Sequence, residues 1–199
     1  IFILQDLGVV VPTIPHIKKL LEDKKNGNRK QFKSILYFPV DFALTPNLAV
    51  GLEFFDVLAT YTDYGKNHVL RLRPDLKAKV KVVPHGNNME NFFPVPSEEA
   101  QSFRKEYFKE NSDKFIIGCI NRNQSRKDIP TTIFGFLEYW EEHNKNSFLY
   151  LHMNPKDPMG WNLKTILAQT PLKEGVDYGF PPVEDYNKGS DVSKLNLIY

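Results

Sequence analysis

Short apolar runs alternate along this chain with longer amphipathic stretches, and this alternation most limits what it can fold into. The short runs are rich in β-branched and aromatic residues, as buried strands are. Strands are predicted at Ile1–Leu4, Ile35–Phe38, Val57–Thr60, Val80–Val83, Phe115–Ile120 and Phe148–His152. Helices are predicted at about 14–25, 47–54, 64–72, 97–110, 127–143 and 160–169.

The helix at 127–143 has the clearest signal. Apolar residues recur there at spacings of three and four, so that they share one helical face. They are Ile129, Ile133, Phe136, Leu137 and Trp140. Strands and helices that alternate in this way predict an α/β fold with a mostly parallel sheet and helices on its faces.

A domain boundary is predicted near residue 95. Pro94 and Pro96 disfavour helix and strand pairing there, and Ser97 follows as a helix N-cap. Charge changes at the same point: residues 1–96 hold 13 basic and 9 acidic side chains, and residues 97–199 hold 13 and 15. We therefore predict two α/β domains, 1–95 and 96–199, joined by a Pro-rich linker.

Composition excludes several classes of protein. The net charge of +2, from 26 basic and 24 acidic residues, provides no basic field for nucleic acid. No apolar run approaches the ~18 residues of a membrane span. The single cysteine, Cys119, excludes an internal disulfide and a Cys-based zinc site, and it suits a reducing compartment such as the cytoplasm.

Both ends of the sequence lie within apolar patterns. The chain opens inside the strand pattern Ile1–Leu4 and closes on the apolar run Leu195–Tyr199 without a stop signal. We therefore expect a central fragment of a longer protein, with both domains incomplete.

The strongest chemical signal is the loop between the strand Phe115–Ile120 and the helix at 127–143. Arg122, Arg126 and Lys127 stand there beside polar Asn123. Ligands of open α/β sheets bind at the carboxyl ends of strands, and a helix N-terminus favours anions. The loop is read either as a phosphate or diphosphate site or as a merely solvated basic loop. It lacks the glycine patterns of the common nucleotide loops.

Other candidates also follow strands. Gly86 is expected to adopt a positive φ in a tight turn, and His85 either faces a ligand or is structural. Asp6 and Asp41 follow the first and second strands, where turn and capping roles compete with a functional one.

The segment after the sixth strand contains His152, Asn154, Lys156 and Asp157. Their spacing matches no common metal-ligand pattern, and the prolines between them favour a turn, so we predict no metal site. No serine stands in a Gly-x-Ser-x-Gly context, so a hydrolase triad lacks support.

Three stretches resemble the GT-B glycosyltransferases, specifically the large retaining family called group 1 or family 4. Residues 80–86 with 92–94 are similar to the junction between the family's two domains. Residues 121–130 resemble the first loop of its donor domain, and 149–163 resemble a subset of bacterial and viral members. The terminal run 195–199 is similar to a helix in that domain.

The resemblance implies two Rossmann-like domains, with a nucleotide-sugar donor bound in the C-terminal one. Arg122 and Lys127 match the family's basic pair, which contacts the donor diphosphate, and Asn123 lies beside them. His85 and Gly86 would lie at the hinge, and Asp6 is the candidate acceptor-side residue. The family needs no metal and no cofactor beyond its nucleotide-sugar substrate.

The implied activity is hexose transfer with retained configuration to a glycan, lipid-linked or protein acceptor. Peripheral membrane contact stays open, and no nucleic acid partner is implied. The sequence departs from the family where Asn121 and Asp128 replace glycines. Asp128 either caps the helix and points away, or weakens phosphate binding. Glu98 and Glu106 have the spacing of the family's catalytic acidic pair but lie on the wrong helix, so that pair is expected beyond Tyr199.

Two alternatives remain beside the transferase. One is a non-catalytic binding module on a Rossmann-like frame. The other is a nucleotide-sugar epimerase of the same architecture, for which His85 alone is thin support.

Overall fold

The computed structural model describes residues 1–143 and 146–199. Contacts between Cα atoms divide the chain into two compact units, unit 1 at Ile1–Asn87 and unit 2 at Asn88–Tyr199. The Pro-rich segment at 94–96 lies within unit 2, immediately before the first helix of that unit.

Unit 1 contains a four-stranded parallel sheet in the order β1-β2-β3-β4. Its strands are β1 Phe2–Leu4, β2 Ile35–Phe38, β3 Val57–Thr60 and β4 Val80–Val82. Its α-helices are α1 Leu7–Val10, α2 Ile14–Lys25 and α3 Asp63–Leu72. Short 3₁₀ turns lie at Val11–Thr13, Pro46–Ala49, Leu52–Phe54 and Pro74–Leu76.

The core of unit 1 forms on one face of this sheet. Leu36, Phe38 and Leu58 are fully buried from the strands, and Val69 of α3 is fully buried against them. Residues two apart on a strand share a face, so β2 supplies Leu36 and Phe38 together. The carboxyl ends of all four strands meet at one edge, since the sheet is parallel.

Unit 2 contains a three-stranded parallel sheet in the order β5-β6-β7. The strands are β5 Phe115–Ile120, β6 Ser147–His152 and β7 Tyr178–Gly179. The helices are α4 Ser97–Phe108, α5 Ile129–Glu142, α6 Leu163–Leu167, α7 Val183–Lys188 and α8 Val192–Ile198. Two 3₁₀ turns lie at Lys109–Asn111 and Ser125–Lys127.

Helix α5 covers one face of this second sheet. Its residues Ile129 and Ile133 are almost completely buried with Leu149 and Leu151 of β6. Tyr150 and His152 alternate with those leucines, so they project from the opposite face of the sheet. The predicted α/β class is therefore confirmed, with two parallel sheets.

The segment at 47–54 is not the α-helix that the sequence predicts. It forms two 3₁₀ turns separated at Gly51, which has a φ of 83°. A Cβ on Gly51 would lie 2.6 Å from the Ile14 side chain, so glycine meets both a steric and a conformational need there. The helix predicted at 160–169 is shorter, because Asn162 caps it by accepting from the Thr165 N–H.

Within the part of the chain that the structure describes, no helix is long and apolar enough to cross a bilayer.

Candidate functional site

A cavity of about 440 Å³ opens in unit 2 at the carboxyl ends of β5 and β6. This is the edge at which open α/β sheets bind ligands. The polar side chains in its lining come from the end of β6, the loops after both strands, α7 and the segment before α8. They are Asn121, Arg122, His152, Asn154, Asp157, Asp185, Tyr186 and Ser190.

Arg122 is the main positive charge of this lining. Its Nε donates to Asp157 Oδ2 at 2.9 Å, and its side chain is 62% exposed while that of Asp157 is 11% exposed. The hydrogen bond raises the pKa of Arg122 and lowers the pKa of Asp157. Neither Nη atom of Arg122 bonds to any residue that the structure describes. The aspartate therefore orients the guanidinium through Nε, and the side chain stays largely exposed.

Asn123 does not lie where a residue that binds a diphosphate would lie, at an exposed surface of the cavity. Its side chain is fully buried, and Nδ2 donates to the carbonyl oxygens of Asn154 at 3.2 Å and Trp161 at 2.7 Å. Its Oδ1 accepts from the Trp161 N–H at 3.1 Å. Both amide hydrogens are thus used inside the protein, so the expectation that Asn123 contacts the diphosphate is corrected. Asn123 instead joins the two loops that carry Arg122 and Asp157.

Lys127 ends the 3₁₀ turn Ser125–Lys127 and is exposed. Its backbone N–H donates to the Gln124 carbonyl at 2.9 Å. Its side chain makes no hydrogen bond or ion pair with the described residues, and Lys127 is not part of the cavity lining. The structure therefore brings Arg122 to the cavity lining but not Lys127, whose side chain is exposed on the following 3₁₀ turn.

Asp128, which replaces a glycine of the resembled family, stands at the N-cap of α5 with a φ of 45°. Its Oδ2 accepts the Thr131 hydroxyl at 2.7 Å. Asp128 therefore occupies the N-cap position, but its carboxylate bonds the Thr131 hydroxyl and caps no backbone N–H of the helix.

His152 is the last residue of β6, and both of its ring nitrogens have hydrogen-bond partners. Its Nδ1 lies 2.7 Å from Tyr150 Oη and its Nε2 lies 2.9 Å from Ser190 Oγ. Burial is the largest influence on its pKa and lowers it. Sequence reasoning missed Ser190, because it lies far from His152 in the chain and in no recognisable motif.

In unit 1, His85 packs against two tyrosines at the carboxyl ends of β2 and β3. Its ring centroid lies 3.9 Å from that of Tyr61 and 5.8 Å from that of Tyr37. The expected positive φ at Gly86 is wrong, since the glycines with positive φ are at 27, 51, 175 and 189. Asp6 is exposed at the N-cap of α1.

Among residues 1–143 and 146–199, no three His, Cys, Asp or Glu side chains form a group that could hold a metal ion. A scan against protein-family models gives no match for this chain, and a search of curated proteins gives none either.

Proposed function

We propose that this chain is a hexosyltransferase, or the central part of one, that uses a nucleotide-diphosphate sugar as donor and retains the anomeric configuration. The observation that carries the proposal is the position of Arg122. Its exposed guanidinium lines a cavity at the carboxyl ends of two parallel strands, with Nε held by Asp157. Parallel hydrogen bonds from Nη atoms are well matched to phosphate oxygens.

The chemical role of this site is to stabilise negative charge. As the bond between the sugar and the diphosphate breaks, charge builds on the leaving diphosphate, and a preorganised cation lowers the barrier. Arg122 supplies that cation in a fixed geometry. Lys127 adds a mobile point charge that reaches the ligand from the adjacent turn.

The acceptor side of the proposal lies in unit 1. Asp6 follows β1 at the carboxyl edge of the parallel sheet and is exposed, as a residue that meets a hydroxyl group must be. The acceptor is a glycan, a lipid-linked sugar or a protein. Transfer proceeds without a protein-bound cofactor.

Isothermal titration with UDP and GDP, compared with uridine and guanosine, tests the donor site. We expect saturable binding of at least one nucleotide and little binding of its nucleoside. Hydrogen bonds to a charged group contribute about 1.5–3 kcal/mol, so Arg122→Ala should weaken nucleotide binding about 10- to 100-fold. Lys127→Ala should weaken it less, because the lysine makes no fixed contact.

Lys105→Ala is the matched control, because Lys105 is exposed on α4 of the same unit and does not line the cavity. It should leave the affinity within about twofold, since exposed charges are screened by salt. The proposal fails if neither nucleotide binds, or if Arg122→Ala changes the affinity no more than the control. Binding of a glycan together with no nucleotide binding would favour the non-catalytic binding module.

A further inference from the structure

Ser190 and His152 form a hydrogen-bonded pair in the wall of the same cavity, and the donor site described above leaves both unused. Further hydrogen bonds extend from His152 away from Ser190. His152 Nδ1 meets Tyr150 Oη, and Tyr150 Oη lies 2.6 Å from Tyr107 Oη on α4. Four side chains thus form one continuous hydrogen-bonded chain that ends at a serine hydroxyl in the cavity.

A neutral imidazole has one donor and one acceptor nitrogen, so this chain has two proton arrangements. In the first, Ser190 donates to His152 Nε2, and Nδ1 donates to Tyr150. In the second, Tyr150 donates to Nδ1, and Nε2 donates to Ser190 Oγ. The hydroxyl hydrogen of Ser190 is then free to point into the cavity, so an anionic oxygen that enters there favours the second arrangement.

The surroundings of His152 favour its neutral form in the absence of a ligand. Burial is the main cause of its lowered pKa; Asp185 opposes the shift and Lys194 adds to it. Asp185 and Lys194 are themselves paired between α7 and α8. The titratable or charged groups around His152, from each element near it, are Tyr150, Tyr107, Asp185, Tyr186, Lys194, Arg122 and Asp157. A neutral histidine in such a wall gains a proton when a dianion arrives.

We propose that Ser190 and His152 are a second phosphate-binding element of this cavity. Ser190 donates a hydrogen bond to a phosphate oxygen, and His152 takes up a proton from solvent as the phosphate group enters. With the proton bound, both ring nitrogens donate, Nδ1 to Tyr150 and Nε2 to Ser190, and the hydroxyl still faces the ligand. This inference rests on the proposed function, because the diphosphate of the donor is the ligand that would be bound.

Proton uptake is measured by titrating the protein with UDP, and separately with pyrophosphate, at pH 6.5 in two buffers that differ in ionisation enthalpy. We expect the wild type to take up protons on binding. His152→Gln should still bind, with uptake reduced to what the phosphate itself contributes. Ser190→Ala should weaken binding about tenfold, as loss of one hydrogen bond to a charged group does. His16→Gln, at an exposed position on α2, is the control and should retain the wild-type uptake.

The outcomes separate the two proposals. Binding with equal proton uptake in the wild type and in His152→Gln overturns the Ser190–His152 element and leaves the Arg122 site standing. No saturable binding of either probe to the wild type overturns both. Should His152→Gln fail to fold by circular dichroism, the imidazole NMR signal of wild-type His152, assigned through its contact with Tyr150, decides. Its pKa must rise when UDP is added, and an unchanged titration overturns the inference.

Discussion

Asn123 and Trp161 are joined by two reciprocal hydrogen bonds, although they lie in loops that follow different strands. Asn123 Nδ2 donates to the Trp161 carbonyl at 2.7 Å, and the Trp161 N–H donates to Asn123 Oδ1 at 3.1 Å. Arg122 and Asp157 stand on these same two loops. The buried amide therefore fixes the distance across which the arginine and its orienting carboxylate meet.

Asn123→Ala should destabilise unit 2, because it leaves the Trp161 N–H and two carbonyl groups without their partner inside the protein. An unsatisfied buried polar group costs about 1–3 kcal/mol, so a loss of about 2–3 kcal/mol in the free energy of unfolding is expected. Urea denaturation followed by tryptophan fluorescence measures it. Asn28→Ala, at an exposed position of unit 1, should change the value by less than about 0.5 kcal/mol. Equal effects of the two substitutions would contradict the bridging role of Asn123.

Gly160 lets the two loops approach each other. A Cβ at this position would lie 2.3 Å from the Asn123 carbonyl oxygen and 2.4 Å from its Oδ1. Gly160→Ala should therefore force the loops apart and lower both the melting temperature and the affinity for UDP.

Gly135→Ala is the matched control for that change, because Gly135 is exposed within α5 and a Cβ there meets no atom within 4 Å. Glycine in a helix interior is unfavourable, so this alanine should stabilise the protein by about 0.4–1 kcal/mol. The same glycine-to-alanine change is thus expected to lower the free energy of unfolding at position 160 and to raise it at position 135. A stabilising Gly160→Ala would be incompatible with the contact.

The ion pair of Arg122 and Asp157 predicts a pH-dependent contribution to stability. Arg122 lowers the pKa of Asp157 in the folded state. The contribution is therefore fully present above the unfolded carboxyl pKa of about 4 and is lost as the pH falls through the lower folded value. Asp157→Asn should unfold at lower urea than the wild type at pH 7, and the two midpoints should converge in acid.

Asp113→Asn serves as the comparison, since Asp113 is exposed in the same unit and makes no ion pair with the described residues. Its urea midpoint should follow the wild type across the same pH range. A midpoint difference for Asp157→Asn that does not shrink as the pH falls would show that the carboxylate charge is not the cause.

Local patterns were sufficient to predict most elements of the fold. The apolar runs of β2, β3 and β5 match the strands that form, and the three- and four-residue spacing in α5 matches the face that is buried. These signals depend on neighbours in sequence, which periodicity records. The two-residue strand β7 and the short helices α7 and α8 are too brief to carry a period, and their positions depend on packing.

Only part of the candidate site could be predicted from local sequence patterns. Fold class and charge made Arg122 a candidate at the carboxyl end of a strand, but they left a merely solvated basic loop as the alternative. The burial of Asn123 requires Gly160 to lie against it, and the pairing of His152 with Ser190 requires α7 and α8 to fold back over β6. Such contacts join residues distant in sequence, and no local spacing records them.

The central claim is that Arg122 and Lys127 bind one and the same diphosphate, and a double-mutant cycle tests it most directly. UDP affinities of the wild type, Arg122→Ala, Lys127→Ala and the double variant are measured by isothermal titration at one salt concentration. Residues that share a ligand couple by about 0.5–3 kcal/mol, so a coupling energy in that range is expected. Additive effects, or single substitutions that change the affinity no more than Lys105→Ala does, would contradict it.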